Sequence, residues 1–144
     1  VTISKKQRKV IWDKSKGWCW YCGQKLPDKG WHVDHLNPVF RVINTKTKAV
    51  NAFGEVPESV QTLLENDGML NPENDTIDNM VPSCAPCNLF KATFTIDQFR
   101  KEIQLQVERA RRSSVNFRTA ERFGLIEAPP RPVIFWFECQ YLIP

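Results

Sequence analysis

The chain has 144 residues, of which 42% are hydrophobic and 25% charged. That is the composition of a soluble globular protein, and the length suits one domain with a modest core. No apolar run approaches the ~20 residues that span a bilayer. The opening VTISKKQRKVIWDKSKG lacks the apolar core of a signal peptide, so no membrane partner is expected and an intracellular, cytoplasmic location is the expectation. The net charge of +4 conceals an asymmetry. Residues 1–25 carry seven Lys/Arg and one acid, residues 51–80 seven acids and no Lys/Arg, and residues 91–122 eight Lys/Arg and four acids. Two basic segments around an acidic one suggest a polyanionic partner, although basic segments are more often plain solvated faces.

In chain order, SKKQRKVIWDKS (4–15) reads as a helix. Ser4 is its N-cap, Val10 and Ile11 form a narrow apolar stripe between Gln7 and Lys14, and Gly17 is its stop. GWHVDHLNPVF (30–40) reads as a short strand running to a turn at Asn37-Pro38. RVINTKTKAVNAF (41–53) reads as a second strand or a hairpin, and PESVQTLLEN (57–66) as a short helix with Pro57 in its first turn. DGMLNPENDTIDN (67–79) is rich in turn residues. Thr95 and Gln98 make a capping-box start for a helix with Ile96, Phe99, Ile103 and Val107 on one face. SSVNFRTAERFG (113–124) reads as another helix, capped by Ser113 or Ser114 and stopped by Gly124. PPRPVIFWFE (129–138) reads as a strand or an extended arm packed on the domain.

The five cysteines form two pairs, Cys19-x2-Cys22 and Cys84-x2-Cys87, with Cys139 left over. An odd count argues against a disulfide framework. Each pair can close a knuckle with two thiolates aimed at one ion, and two pairs complete the tetrahedron of a structural Zn²⁺. The 61-residue gap means that such an ion ties distant segments together. A redox role is the weaker reading, since no thioredoxin-like pattern surrounds either pair. Cys139, in an aromatic stretch, is expected to be a buried apolar residue.

Taken together, CWYCG (19–23), HVDHLNP (32–38) and DNMVPSCAPCNLFK (78–91) resemble the HNH endonuclease family. The resemblance covers roughly residues 5–100. It implies an α+β fold: a ββα-metal (His-Me finger) core stapled by a four-cysteine zinc site, with flanking helices. On that basis 1–144 is a single domain. The nuclease core is 5–100, with an insertion at about 40–76, and 101–144 form a C-terminal helical extension and arm. The resemblance makes Asp34 a ligand of a catalytic divalent ion, His35 the general base, Asn79 the middle residue that holds the active-site loop, and Asn88 the last ligand, where the family accepts His or Asn. The implied function is a metal-dependent DNA endonuclease of phage, restriction or homing type.

The chemistry of these residues agrees with that role. A neutral imidazole takes a proton from water at neutral pH, and a divalent ion stabilises negative charge on a phosphate. Carboxylate and amide oxygens suit Mg²⁺ or Mn²⁺. Adjacent strand residues face opposite ways, so the strand is expected to lose regularity near Asn37-Pro38 for Asp34 and His35 to reach one phosphate. His32 shares the parity of Asp34. It reads as a supporting or surface histidine ahead of a metal or phosphate contact. Lys91, Arg109, Arg111 and Arg112 are candidate phosphate contacts, while Trp18, Trp20 and Trp31 read as core or knuckle packing rather than base-stacking groups. Two other readings compete. One is a zinc-stabilised nucleic-acid-binding module without catalysis, which needs neither Asp34 nor His35 nor Asn88. The other is a zinc-held protein-interaction domain using the acidic segment. A homodimer or a partner protein is compatible with each, and no readable code for a target site is present.

Overall fold

The first helix, α1, follows the pattern of its sequence. In the computed structural model, which describes residues 2–41, 58, 61, 65–66 and 68–140, it spans Lys5–Asp13. Ser4 accepts from the Gln7 N–H, and the Gln7 side chain accepts from the Ser4 N–H, so two orphan donors are satisfied reciprocally. Ile11 is fully buried, while Val10 is exposed. Lys14 follows the helix and donates to the carbonyls of Ile77, Asp78 and Met80 at 2.6, 3.0 and 2.7 Å, which fastens α1 to the turn before the second strand. Burial of this ammonium lowers its pKa.

Two antiparallel strands form the sheet, β1 (His32–His35) and β2 (Met80–Ser83). His32 faces Ser83 and His35 faces Met80. The chain-order reading assigned no element of its own to 80–83, and Pro82 lies within the strand found there. In a two-stranded sheet each strand has a free edge, where a missing N–H is tolerated. The Pro82 carbonyl is also used, accepting from Trp20 N–H at 2.9 Å. The helix α2 (Ala85–Lys91) follows β2 at once, so the chain is mixed α+β with a strand–strand–helix order around the cysteine knuckles. The second strand or hairpin expected at 41–53 and the short helix expected at 57–66 fall largely outside the described residues.

Further helices with described bounds are α3 (Ile96–Gln104), α4 (Gln106–Ser113), α5 (Val115–Arg122) and the short α6 (Trp136–Cys139). The Thr95–Gln98 capping box forms, and the Ser114 hydroxyl caps α5. The single helical face expected through Val107 does not persist. Helix α3 stops at Leu105, Phe99 is buried, and Val107 is exposed. Residues 126–135 form an extended arm, unpaired as a strand, leading into α6. Its end docks on the first knuckle: Trp136 N–H donates to Tyr21 O at 2.8 Å and Phe137 N–H to Trp20 O at 3.1 Å. Phe135 stacks on Phe99 and Phe137 stacks on Trp20, so the arm completes a core of Ile11, Tyr21, Trp31, Val81, Phe99 and Phe135. Each buried aromatic contributes about 1.5–3 kcal/mol of transfer free energy. Cys139 is half-buried rather than buried.

Candidate functional site

The two knuckles meet. Cys19, Cys22, Cys84 and Cys87 place their sulfurs within 4.8 Å of one another. Cys22 Sγ lies 3.8 Å from Cys84 Sγ, which matches the edge of about 3.8 Å that Zn–S bonds of about 2.3 Å give a tetrahedron. Backbone geometry explains the approach. Cys19 N–H donates to Gln24 O at 2.8 Å and Gly23 N–H to Cys19 O at 3.0 Å, closing a turn in which Gly23 has φ +71°. A Cβ there would lie 2.6 Å from Trp136 Cδ1, so the position is restricted both by conformation and by the docked arm. Without a cation Cys19, Cys22 and Cys87 compete for charge. A hydrogen bond from Cys87 holds Cys19 down at about 4, its counterpart pushes Cys87 up, and desolvation pushes Cys22 up to about 11. Such a cluster can hold a tetrahedral metal ion such as zinc, whose charge allows all four to ionise.

Helix α2 starts at this cluster and lies against β1. Asn88 and Lys91, one turn apart on α2, meet His32 and Asp34, two apart on β1 and therefore on one face. Asn88 Nδ2 lies 2.9 Å from His32 Nδ1. An amide nitrogen only donates, so His32 Nδ1 accepts. Lys91 Nζ lies 3.2 Å from Asp34 Oδ2 and donates to His35 O at 2.8 Å. Tyr21 donates its phenol proton to the same Oδ2 at 2.5 Å. Burial, followed by the Asp34 charge, raises the Tyr21 pKa far above its usual value. Both donors crowd Oδ2. Asp34 Oδ1 and Asn88 Oδ1 accept no hydrogen bond among the described residues.

Lys91 is 0% exposed and is corrected here as a phosphate contact. Its ammonium is spent inside the protein on Asp34, the His35 carbonyl and the Tyr21 ring. The arginines are on the surface but paired. Arg109 bonds Glu102, Arg111 makes a fork to Glu121 that joins α4 to α5, and Arg112 sits 3.5 Å from Glu108. Trp20 packs on Phe137 and Trp31 on Trp12, as expected. Trp18 is exposed.

His35 stands on the other side of the strand. Regular pairing continues through His35, so the loss of regularity expected to bring Asp34 and His35 to one side starts only at Leu36. His35 Nε2 lies 2.8 Å from Asp75 Oδ1. Asn79 holds the turn that follows. Its carbonyl accepts from Leu36 N–H at 2.9 Å, its Oδ1 from Asn37 N–H at 2.9 Å, and its Nδ2 donates to Asn37 O at 2.8 Å and to Asn74 O at 2.7 Å. Residues 69–76, read from the sequence as the end of an insertion, line this site: Asn71 and Asn74 both donate to Pro38 O, and Arg41 bridges to Met69. Tyr21 and Asp75 are the site residues that motif reading missed. Tyr21 lay hidden between two cysteines, and Asp75 was one acid among several in a turn-rich stretch.

No protein-family model, no curated relative and no solved structure matches the chain. The function therefore has to be argued from these residues.

Proposed function

We propose that the protein is a metal-dependent DNA endonuclease built on a ββα-metal, HNH-type core. The observation that carries this reading is the Asn79 amide. It accepts from and donates to the backbone of Asn37, fixing the turn next to Asp34-His35, which is the work that the HNH resemblance gives to the middle asparagine. In this reading β1, β2 and α2 are the ββα unit, and a zinc ion on the four cysteines sets the start of α2. The free oxygens of Asp34 and Asn88 would hold Mg²⁺ or Mn²⁺, and such an ion would supply positive charge to offset the charge that builds on the scissile phosphate. His35, which faces the opposite side of β1 from Asp34, takes the proton from the attacking water in this reading, which requires the bound phosphate to span the end of β1. Asp34 is itself held in place by Tyr21 and Lys91.

The test is conversion of supercoiled plasmid with Mg²⁺, Mn²⁺ or chelator, with His35→Ala as control. The expected result is nicked or linear DNA with either metal, and a rate at least ~100-fold lower in the variant at unchanged fold and zinc content. Full activity in His35→Ala would refute the assignment of the base. A second reading, a zinc-stabilised nucleic-acid-binding module, draws support from the Lys91–Asp34 pair, which already neutralises the carboxylate that a catalytic ion needs. It predicts DNA retention without cleavage in any metal.

A further inference from the structure

His35 and Asp75 are 40 residues apart in sequence, and their pairing is not a loose surface contact. Their side chains are 21% and 10% exposed, and among the described residues His35 is the only side chain that bonds the Asp75 carboxylate. A carboxylate that has lost most of its water needs a donor. An ionised carboxylate only accepts, so the 2.8 Å contact requires a proton on His35 Nε2. In neutral imidazole that leaves the lone pair on Nδ1, and Nδ1 has no hydrogen bond among the described residues.

The surroundings hold both partners still. Asp75 N–H closes the 3₁₀ turn Pro72–Asn74 by donating to Pro72 O at 3.0 Å. Asn74 Nδ2 donates to Pro38 O at 3.2 Å. The side chain of Asn79 bonds Asn37 on the His35 side and Asn74 on the Asp75 side. One asparagine therefore clamps the turn carrying the histidine and the turn carrying the aspartate to each other, and that joint fixes the relative position of the pair.

We propose that Asp75 is the positioning residue of His35: it accepts from Nε2–H, fixes the tautomer and ring orientation, and makes Nδ1 the atom that takes the proton from water. The catalytic half of this inference rests on the endonuclease reading, whereas the tautomer rests on geometry alone. In the step, a water O–H bond breaks as Nδ1–H forms. The water oxygen bonds to phosphorus while the P–O3′ bond breaks, and the 3′ oxygen leaves with that electron pair and takes a proton from solvent. The imidazolium left behind lies against the Asp75 carboxylate until it returns its proton to water.

The experiment combines nitrogen-15 NMR of the two histidines with plasmid cleavage, using full-length zinc-loaded protein, Asp75→Asn and Asp75→Glu. An asparagine can offer either its oxygen or its amide N–H to Nε2, so the lock on the tautomer is removed. The expected result is His35 in the Nε2–H form in the parent protein and a mixed or Nδ1–H form in Asp75→Asn. Cleavage in Asp75→Asn should show a kcat lower by ~100-fold or more at similar KM, with partial recovery in Asp75→Glu. A parent His35 in the Nδ1–H form, or a tautomer unmoved by Asp75→Asn, overturns the proposal. A shifted tautomer with kcat unchanged overturns its catalytic half. Absence of cleavage by the parent protein with Nε2–H intact sinks the endonuclease reading and leaves the positioning role of Asp75 supported. Should Asp75→Asn fail to fold, Asn79→Asp supplies the second variant. It turns the two bonds that Asn79 Nδ2 donates into clashes between acceptors, and should loosen the same tautomer preference.

Discussion

Lys91 and Asp34 are the residues whose environment departs furthest from what their types suggest. A lysine with no exposed surface survives because a carboxylate, a carbonyl and an aromatic face receive its ammonium. Removing one partner of such a pair strands the other charge away from water. Lys91→Met is therefore expected to destabilise the protein by about 3 kcal/mol or more in urea unfolding. Replacing Asp34 by Asn in the same chain should recover part of that loss, since no uncompensated charge remains. His35→Ala strips the Asp75 carboxylate of its side-chain donor in the same way, so a stability loss is expected there too, and replacing Asp75 by Asn in the same chain should recover part of it.

The elements that matter most are the first knuckle and the arm that docks on it. Gly23 at φ +71° faces Trp136, so Gly23→Ala meets both a left-handed backbone and a 2.6 Å clash. A loss of about 1–3 kcal/mol is expected, together with weaker metal retention, measured by thermal unfolding and by competition with a chelator. The arm is held by Glu138, which bonds Arg100 and accepts from Phe135 N–H at 2.9 Å. The Arg100 hydrogen bond comes first among the causes that lower the Glu138 pKa. A lowered folded pKa means that the stabilisation is complete above the ordinary value of 4.5 and is lost as pH falls through the lower folded value. Acid titration should therefore release the arm below that range, seen as a change in tryptophan emission as Trp136 leaves Trp20. In Glu138→Gln the pH-dependent step should be absent.

For the whole molecule, the cysteine cluster joins segments 61 residues apart, and the core lies directly behind it. Binding free energy at such a site is folding free energy. One metal ion per chain is expected by elemental analysis, and chelation should lower the thermal midpoint by well over ~10 °C. Finding no tetrahedral metal in freshly purified protein would remove the four-cysteine site from the account. The basic surface is less free than its charge count suggests, because Arg109 and Arg111 are committed to glutamates. Arg112 is 78% exposed and only loosely paired. On the endonuclease reading, Arg112→Ala should weaken DNA binding equally across sequences and reduce the salt dependence by about one counterion. Arg111→Ala should mainly loosen α4 from α5.

Spacing alone was enough to pick out the four cysteines, because two thiolates on each of two tight turns have few other uses. The caps at Ser4, Thr95 and Ser114, and the stop at Gly124, were legible for a similar reason: they are local contacts within a few residues of the chain. Asp34, His35, Asn79 and Asn88 were legible as letters in a motif, but their partners were not. Whether Lys91 faces DNA or a buried carboxylate depends on what lies across from α2. That Pro82 sits in a strand depends on which edge is left open. That Asp75, out of seven acids between residues 51 and 80, meets His35 depends on a clamp built from Pro38, Asn74 and Asn79. Local hydrogen bonds and ligand spacing are written in neighbouring residues. Pairing and burial of charge are set by contacts between segments that meet only when the chain closes on itself, and these the tertiary structure alone decided.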